Sequence, residues 1–272
     1  MIQRVERYDQ VVALTGGDPY ARWTVDPSLP LDGGARDGAV AWTIRREHYA
    51  QAPWLDAIGP PAAVAELVAD LLTGQHGLRA LTPTPRGITV PHLALPLLEE
   101  DLRPPEYGDW NWWWTDTLPP HEPAEREVQL LPVATDPLVR GEVAELLAEA
   151  SPTASADAAE PTVRTWCGSR DRAGRLVACG ADRPMVHGGR VVPHLSSIAT
   201  HPDARGRGYG GAVTAWLIRY ALSVQGSPVA TLGMYADNDA ARSVYRRLGL
   251  HAAHHFTSGN LPPPPRRSPS YA

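Results

Sequence analysis

The stretch Arg205-Gly206-Arg207-Gly208-Tyr209-Gly210-Gly211 is where residue type and spacing first point to chemistry. Glycines let a backbone turn successive N–H groups inward, and a helix starting directly after them adds a positive dipole end. That geometry suits a pyrophosphate, and Arg205 and Arg207 can add charge-assisted hydrogen bonds to an acidic dinucleotide or to coenzyme A. Gly206, Gly208 and Gly211 also satisfy the dinucleotide pattern G-x-G-x-x-G. A dinucleotide fold, however, needs its first glycine directly after a strand and an acid at the end of the next strand. Here His201-Pro202-Asp203-Ala204 intervenes, and the next strand, VATLGMY, contains no acid. The sequence therefore argues against a nicotinamide cofactor.

Such a loop needs a strand to enter it and a helix to leave it. Val191 to Thr200 reads as the strand, and Val213, Trp216, Leu217, Tyr220 and Val224 share one face of a helix. Upstream, Val128 to Pro132 predicts a strand, and Asp136 and Pro137 open a helix carrying Val139, Val143, Leu146 and Leu147 on one face. Ser151 to Pro161 reads as a loop or short broken helix. Val163 to Cys167 and Leu176 to Cys179 flank a hairpin turn at Asp171-Arg172-Ala173-Gly174. Downstream come a strand at Val229 to Tyr235, a helix capped by Asn238 and ended by Gly249, and a closing strand at His251 to Thr257. In the first half, helical spacing runs from Val5 to Val12, and Ala39 to Ile44 predicts a strand. Val64, Leu67, Val68, Leu71 and Leu72 form a helical stripe between Pro60-Pro61 and Gly74. The prolines between Thr82 and Pro96 predict edge strands or irregular structure.

The run HLSSIATHPDARGRGYGGAVTAWL resembles the GNAT (GCN5-related N-acetyltransferase) motif [RQ]-x-x-G-x-[GA], with Arg205, Gly208 and Gly210 in its places. YADNDAARSVYRRLGL resembles the family's second signature, N-x-x-A-x-x-x-Y-x-x-x-G, through Asn238, Ala241, Tyr245 and Gly249. Two motifs at the right separation are more specific than either alone. The resemblance covers about residues 127 to 257. It implies an α/β (α+β) fold with a mixed, mostly antiparallel sheet that splays at the strand ending near Thr200. It also implies acetyl-CoA as co-substrate, held by Ile198, Ala199, Thr200, Arg205, Gly206, Arg207, Gly208, Tyr209, Gly210, Gly211, Asn238 and Ala241. Tyr245 matches the tyrosine credited with protonating the departing thiolate, a role that suits a phenol with a reference pKa of about 10. Relatives often carry a glutamate base in the strand before the glycine loop; this strand has His194 at that position. A histidine with a reference pKa of about 6.5 can act as base, giving a kcat/KM limb between about pH 6 and 7, or serve only as a hydrogen-bonding member of the sheet. Ser196 and Ser197 are expected along the same cleft.

The implied activity is direct transfer of an acetyl group to a primary amine of a small molecule or peptide. The alternative is a non-catalytic acyl-CoA sensor or partner protein, which needs the loop but no base. The expected organisation is an N-terminal α/β domain over 1–117, for which a degenerate GNAT-like half as in tandem members is one reading, a linker over 118–126, the catalytic domain over 127–260 and a disordered proline-rich tail over 261–272. The first half has no glycine loop after a strand and so no second coenzyme site.

A formal net charge of -5 with a pI near 6.0 provides no general basic field, which disfavours nucleic acid as a partner. No stretch approaches the roughly 18 apolar residues of a membrane span, and MIQRVERYDQ has no apolar signal core, so a cytoplasmic protein is expected. All 25 basic residues are arginine, a composition suggesting a GC-rich bacterial genome. Cys167 and Cys179 lack zinc-site spacing and read as small core residues. His251, His254 and His255 suggest a metal cluster, but in a strand His254 points away from the other two, so no metal is expected. The tryptophans from Trp110 to Trp114 fit packing between domains or the wall of an acceptor pocket. Oligomeric state is left open.

Overall fold

Proline and glycine set most of the element boundaries in this chain. The computed structural model describes residues 2–44, 53–74 and 80–262. Its contacts gather them into two units: the chain up to Trp110 with the chain from His255 onward, and Asn111–His254. In chain order the first part contributes β1 (Gln3–Val5), α1 (Tyr8–Leu14), α2 (Pro19–Thr24), β2 (Gly33–Arg36), β3 (Ala39–Ile44), β4 (Trp54–Ile58), α3 (Pro61–Thr73) and β5 (Gly87–Pro91). Next come β6 (Tyr107–Thr115), β7 (Gln129–Leu131), α4 (Pro137–Ala150), β8 (Thr165–Arg170), β9 (Leu176–Asp182), β10 (Met185–His187) and β11 (Arg190–Val192). The chain continues through β12 (His194–Thr200), α5 (Tyr209–Arg219), β13 (Ala230–Tyr235), α6 (Asp239–Arg247) and β14 (His251–Asn260).

In the N-terminal unit the strands lie in the order β1-β2-β3-β4-β5, and β14 follows with its residues from His255. All neighbours are antiparallel except β4 and β5, which α3 connects as a parallel pair. The stripe read from the sequence is the buried face of α3: Val64, Leu67, Val68 and Leu71 pack with Ala41, Leu55, Ile88 and Val90. Leu67 is fully buried there, so Leu67→Ala would cost about 2–5 kcal/mol. Gly74 ends the helix in the left-handed conformation, as a C-terminal glycine should.

The C-terminal unit repeats this plan in the order β6-β13-β12-β9-β8-β7. β7, β8, β9 and β12 are antiparallel in turn, and α5 connects β12 to its parallel neighbour β13. Alternate residues of β9 face opposite ways. Ala178 packs in the cluster of α5 with Val213, Leu217 and Ile218, while Cys179 and Ala181 join Val143, Leu146 and Leu147 of α4.

Several elements differ from the sequence reading, each for a local reason. The predicted strand from Val191 is broken at Pro193: Arg190–Val192 pairs back on Met185–His187, and β12 starts at His194. Proline lacks the N–H that would continue the ladder. β5 is not an edge but an interior strand between β4 and β14, because Gly87–Val90 is a proline-free run long enough to pair on both sides. The first helix begins at Tyr8, after a short strand, and β14 continues to Asn260. Most of the proline-rich tail lies outside the described residues.

Residues 118–126 lie in the C-terminal unit, where they are anchored by charge. Glu122, buried, accepts from Arg247 of α6 at 2.8 and 3.1 Å, and Glu125, also buried, accepts from Arg219 of α5 at 2.6 and 3.3 Å.

Candidate active site

The site forms where two parallel strands part. β12 and β13 are in register only at His194↔Thr231 and Leu195↔Leu232. Beyond that point β12 stays on β9, and its register shifts between Ser196 and Ala199, with Ser197 in the left-handed region at φ 49°. This bulge bends β12 away from β13 and leaves the stretch Ile198–Thr200 without a partner strand on that side. Ser197 Oγ fixes the bulge by donating to the Ala156 carbonyl at 2.8 Å and accepting from the Ala156 N–H at 2.9 Å. The loop after α4 is thereby fastened to the parting strands. Ser196 Oγ is buried with no hydrogen-bond partner among the described residues.

β12 leads through a short 3-10 turn at Pro202–Ala204 into the glycine loop. Gly206 and Gly208 have φ of 75° and 86°, values that an L side chain adopts only under strain. A Cβ at either would meet nothing within 4 Å, so the loop faces open space. Gly208 is the N-cap of α5, and no side chain caps this helix start, which leaves its first N–H groups without a side-chain acceptor. Those donors and the dipole end suit a pyrophosphate. Arg207 is exposed, whereas Arg205 turns back, with Nε 3.3 Å from the Thr200 carbonyl and Nη2 3.3 Å from the Ala150 carbonyl. Arg205 thus ties the loop to α4 and β12.

Tyr245 projects from α6 and its ring meets Trp113 edge-on at 6.0 Å. Burial pushes its pKa up to about 12, so it holds its proton throughout the neutral range. Its hydroxyl makes no hydrogen bond among the described residues. Asn238 caps α6 by accepting from the Ala241 N–H at 3.1 Å, and Ala241 packs against the core. These two members of the second signature place Tyr245 by fixing where its helix begins.

His194 stands at the paired end of β12. Its backbone N–H donates to Asp182 at 3.2 Å, and its Nδ1 is 3.0 Å from Thr231 Oγ1. The Thr231 hydroxyl donates its only proton to the Pro193 carbonyl at 2.9 Å, so its oxygen must accept from His194. The neutral ring is therefore the Nδ1–H tautomer, with the lone pair on Nε2. Burial, with the positive charge of Arg183 second, lowers its pKa to about 4. The reference value used in the sequence reading is thereby replaced: His194 is neutral across the physiological range and only a weak base. Thr231 had no sequence signal, because its part depends on the register that sets it opposite His194.

Neither cysteine offers a nucleophile. Cys167 and Cys179 are buried, and burial raises both thiols, Cys179 to about 12.

The N-terminal unit lacks the corresponding loop. Between β4 and α3 only Gly59 and Pro60 intervene, and prolines occupy the N-cap and first position of α3. They remove N–H donors where a phosphate would need them. A Cβ on Gly59 would lie 2.5 Å from the Gly38 carbonyl, so this turn is packed onto protein where the loop of the other unit is open.

Comparison with known proteins agrees with this geometry. The model of the Acetyltransferase (GNAT) family matches residues 110–250, just over half of the chain. An 80-residue stretch is 39% identical to the mycothiol acetyltransferase of Streptomyces avermitilis, covering 29% of this chain and 25% of that protein. The mycothiol acetyltransferase of Streptomyces coelicolor is 38% identical over 80 residues, with the same coverage. The match thus spans a quarter of the length of these curated relatives. Among solved structures, an acetyltransferase from the GNAT family of Colwellia psychrerythraea superposes with a TM-score of 0.52 at 14% identity, over 96% of this chain and 100% of that one. That likeness bears on fold alone, and it extends over both units. With the family model seated on the parted strands, glycine loop and tyrosine helix described above, the chain belongs to the GNAT family of acetyltransferases.

Proposed function

We propose that the protein is an N-acetyltransferase that passes an acetyl group from acetyl-CoA directly to an amine in the C-terminal unit. The observation that carries this reading is the gap between β12 and β13, with an unpartnered buried hydroxyl at Ser196 and an open glycine loop at its end. Backbone groups of Ile198, Ala199 and Thr200 bind the pantetheine arm, and N–H groups from about Arg207 to Gly211 bind the pyrophosphate, with Arg207 adding charge. Tyr245 donates its proton to the thiolate as the C–S bond breaks. Its raised pKa and lack of a protein partner support that role.

His194 Nε2 accepts a hydrogen bond from the incoming amine or an intervening water and takes no full proton from an ammonium, because its pKa is too low. The amine must therefore arrive neutral; the proton its nitrogen loses as the amide forms leaves through that water to solvent, and Tyr245 regains its proton from solvent. Ser196 donates toward the developing oxyanion or the pantetheine amide. Burial of both cysteines supports transfer without an acyl-enzyme. The acceptor is a small-molecule or peptide amine; the name of the curated relatives puts the acceptor of mycothiol acetyltransferase first in any panel.

One observation favours the second reading, an acyl-CoA-binding sensor: the position of the expected carboxylate base holds a histidine of low basicity. Thiol release from acetyl-CoA across an amine panel separates the two readings. Transfer predicts release only when a suitable amine is present, with acetyl recovered on that amine. Tight acetyl-CoA binding without amine-dependent release establishes the sensor instead.

A further inference from the structure

A second group of chemistry-bearing side chains lies wholly in the N-terminal unit. β5 ends at Pro91, which is in register with Phe256 of β14. His92, the first residue of the 3-10 turn that follows β5, and His255, the residue before Phe256, are thereby brought together, and their rings stack at 4.4 Å with 9° between planes. Asp109 of β6 completes the group, with Oδ1 3.0 Å from His92 Nδ1. One nitrogen from each imidazole and one carboxylate oxygen lie within 4.8 Å of one another. We propose that His92, Asp109 and His255 bind one divalent transition-metal ion of the zinc class.

The donor set selects that class. Two imidazoles with one carboxylate suit zinc and its neighbours, whereas magnesium and calcium prefer all-oxygen sites. Donors on a tetrahedral zinc are about 3.3 Å apart, given bonds of about 2.0–2.1 Å. The 3.0 Å between His92 Nδ1 and Asp109 Oδ1 already meets this spacing, so the ion replaces the proton they share. His255 is the exposed member, and rotation of its side chain closes the remaining distance. The buried Thr257 hydroxyl donates to Asp109, an outer contact of the kind that orients metal ligands. Three protein ligands leave a position open to water. The ion would link β5, β6 and β14 within this unit and take no part in acetyl transfer. No ligand spacing in the sequence marks the site, because its members stand at 92, 109 and 255.

The test uses the full chain, stripped with chelator and titrated calorimetrically with Zn2+, then with Co2+ followed by its visible absorption. The chain has 10 histidines, so variants must locate the binding. We expect one equivalent bound by the wild type, raised thermal stability with metal, and affinity lower by at least about tenfold in both His255→Ala and Asp109→Asn. His251→Ala should bind as the wild type does. His255→Ala alters an exposed side chain, and its melting curve without metal checks that it folds. Failure of the wild type to bind, or equal affinity in folded His255→Ala, overturns the assignment.

Discussion

At the scale of single residues, the account turns on which hydroxyl and ring atoms lack a protein partner. The Tyr245 hydroxyl makes no hydrogen bond among the described residues, so Tyr245→Phe should leave stability within about 0.5 kcal/mol while lowering kcat on the order of a hundredfold, with KM for acetyl-CoA nearly unchanged. Equal kcat in the variant would pass the proton donation to water. Thr231 holds His194 in the Nδ1–H tautomer. In Thr231→Val that constraint goes, and nitrogen NMR of labelled histidine should report a change of tautomer; Thr231→Ser should restore it. An unchanged spectrum in Thr231→Val would show that something else fixes the ring. His194 has a folded pKa of about 4, lower than its unfolded value, so it is already neutral well below pH 7. Any kcat/KM limb between pH 6 and 9 should therefore belong to the amine and shift when an acceptor of lower amine pKa is used. A limb that stays near pH 6–7 and disappears in His194→Ala would restore the histidine base of the sequence reading. Tyr245 and His194 could be named from sequence because they match motif positions; Thr231 and the Ser196 orphan could not, because register and burial define them.

At the scale of elements, the glycine loop and the ion-paired segment before β7 make separable predictions. Gly208 and Gly174 both have positive φ, 86° and 84°, and a Cβ at either meets open space. Alanine at each should cost a similar amount of stability, about 1 kcal/mol. Only Gly208→Ala should also weaken acetyl-CoA binding, since Gly174 sits in the hairpin turn between β8 and β9. Calorimetry that finds equal affinities would remove the loop from the coenzyme site. Gly210 is a poorer probe, because its Cβ would come within 3.1 Å of Thr200 Oγ1 and disturb β12. The buried Glu125 carboxylate paired with Arg219 makes Arg219→Met costly, about 2–3 kcal/mol, read by denaturant melts. Elements with a periodic stripe or a cap, such as α3, α4 and α6, were legible in the sequence. Those decided by pairing were not: β5 reads as proline-disturbed until its two neighbours are known, and Pro193 cuts a run that looks uniformly apolar.

At the scale of the whole molecule, the chain repeats one plan, antiparallel strands leading into a strand, helix and parallel strand, once in each unit. The sequence hides the repeat because burial, not identity, is what the two copies share. It does distinguish the two copies: Gly59-Pro60-Pro61 stands where the other half has its glycine loop. One acetyl-CoA per chain is therefore expected by calorimetry, and two would mean that the N-terminal unit binds by other means. Acetyl transfer within the C-terminal unit is measured by single-turnover thiol release from acetyl-CoA with an amine acceptor, comparing wild type with Tyr245→Phe at equal coenzyme occupancy. The wild type should release thiol only with an amine present, and the variant should release it more slowly, on the order of a hundredfold. Saturated wild-type protein that releases no thiol with any amine would contradict acetyl transfer in this unit.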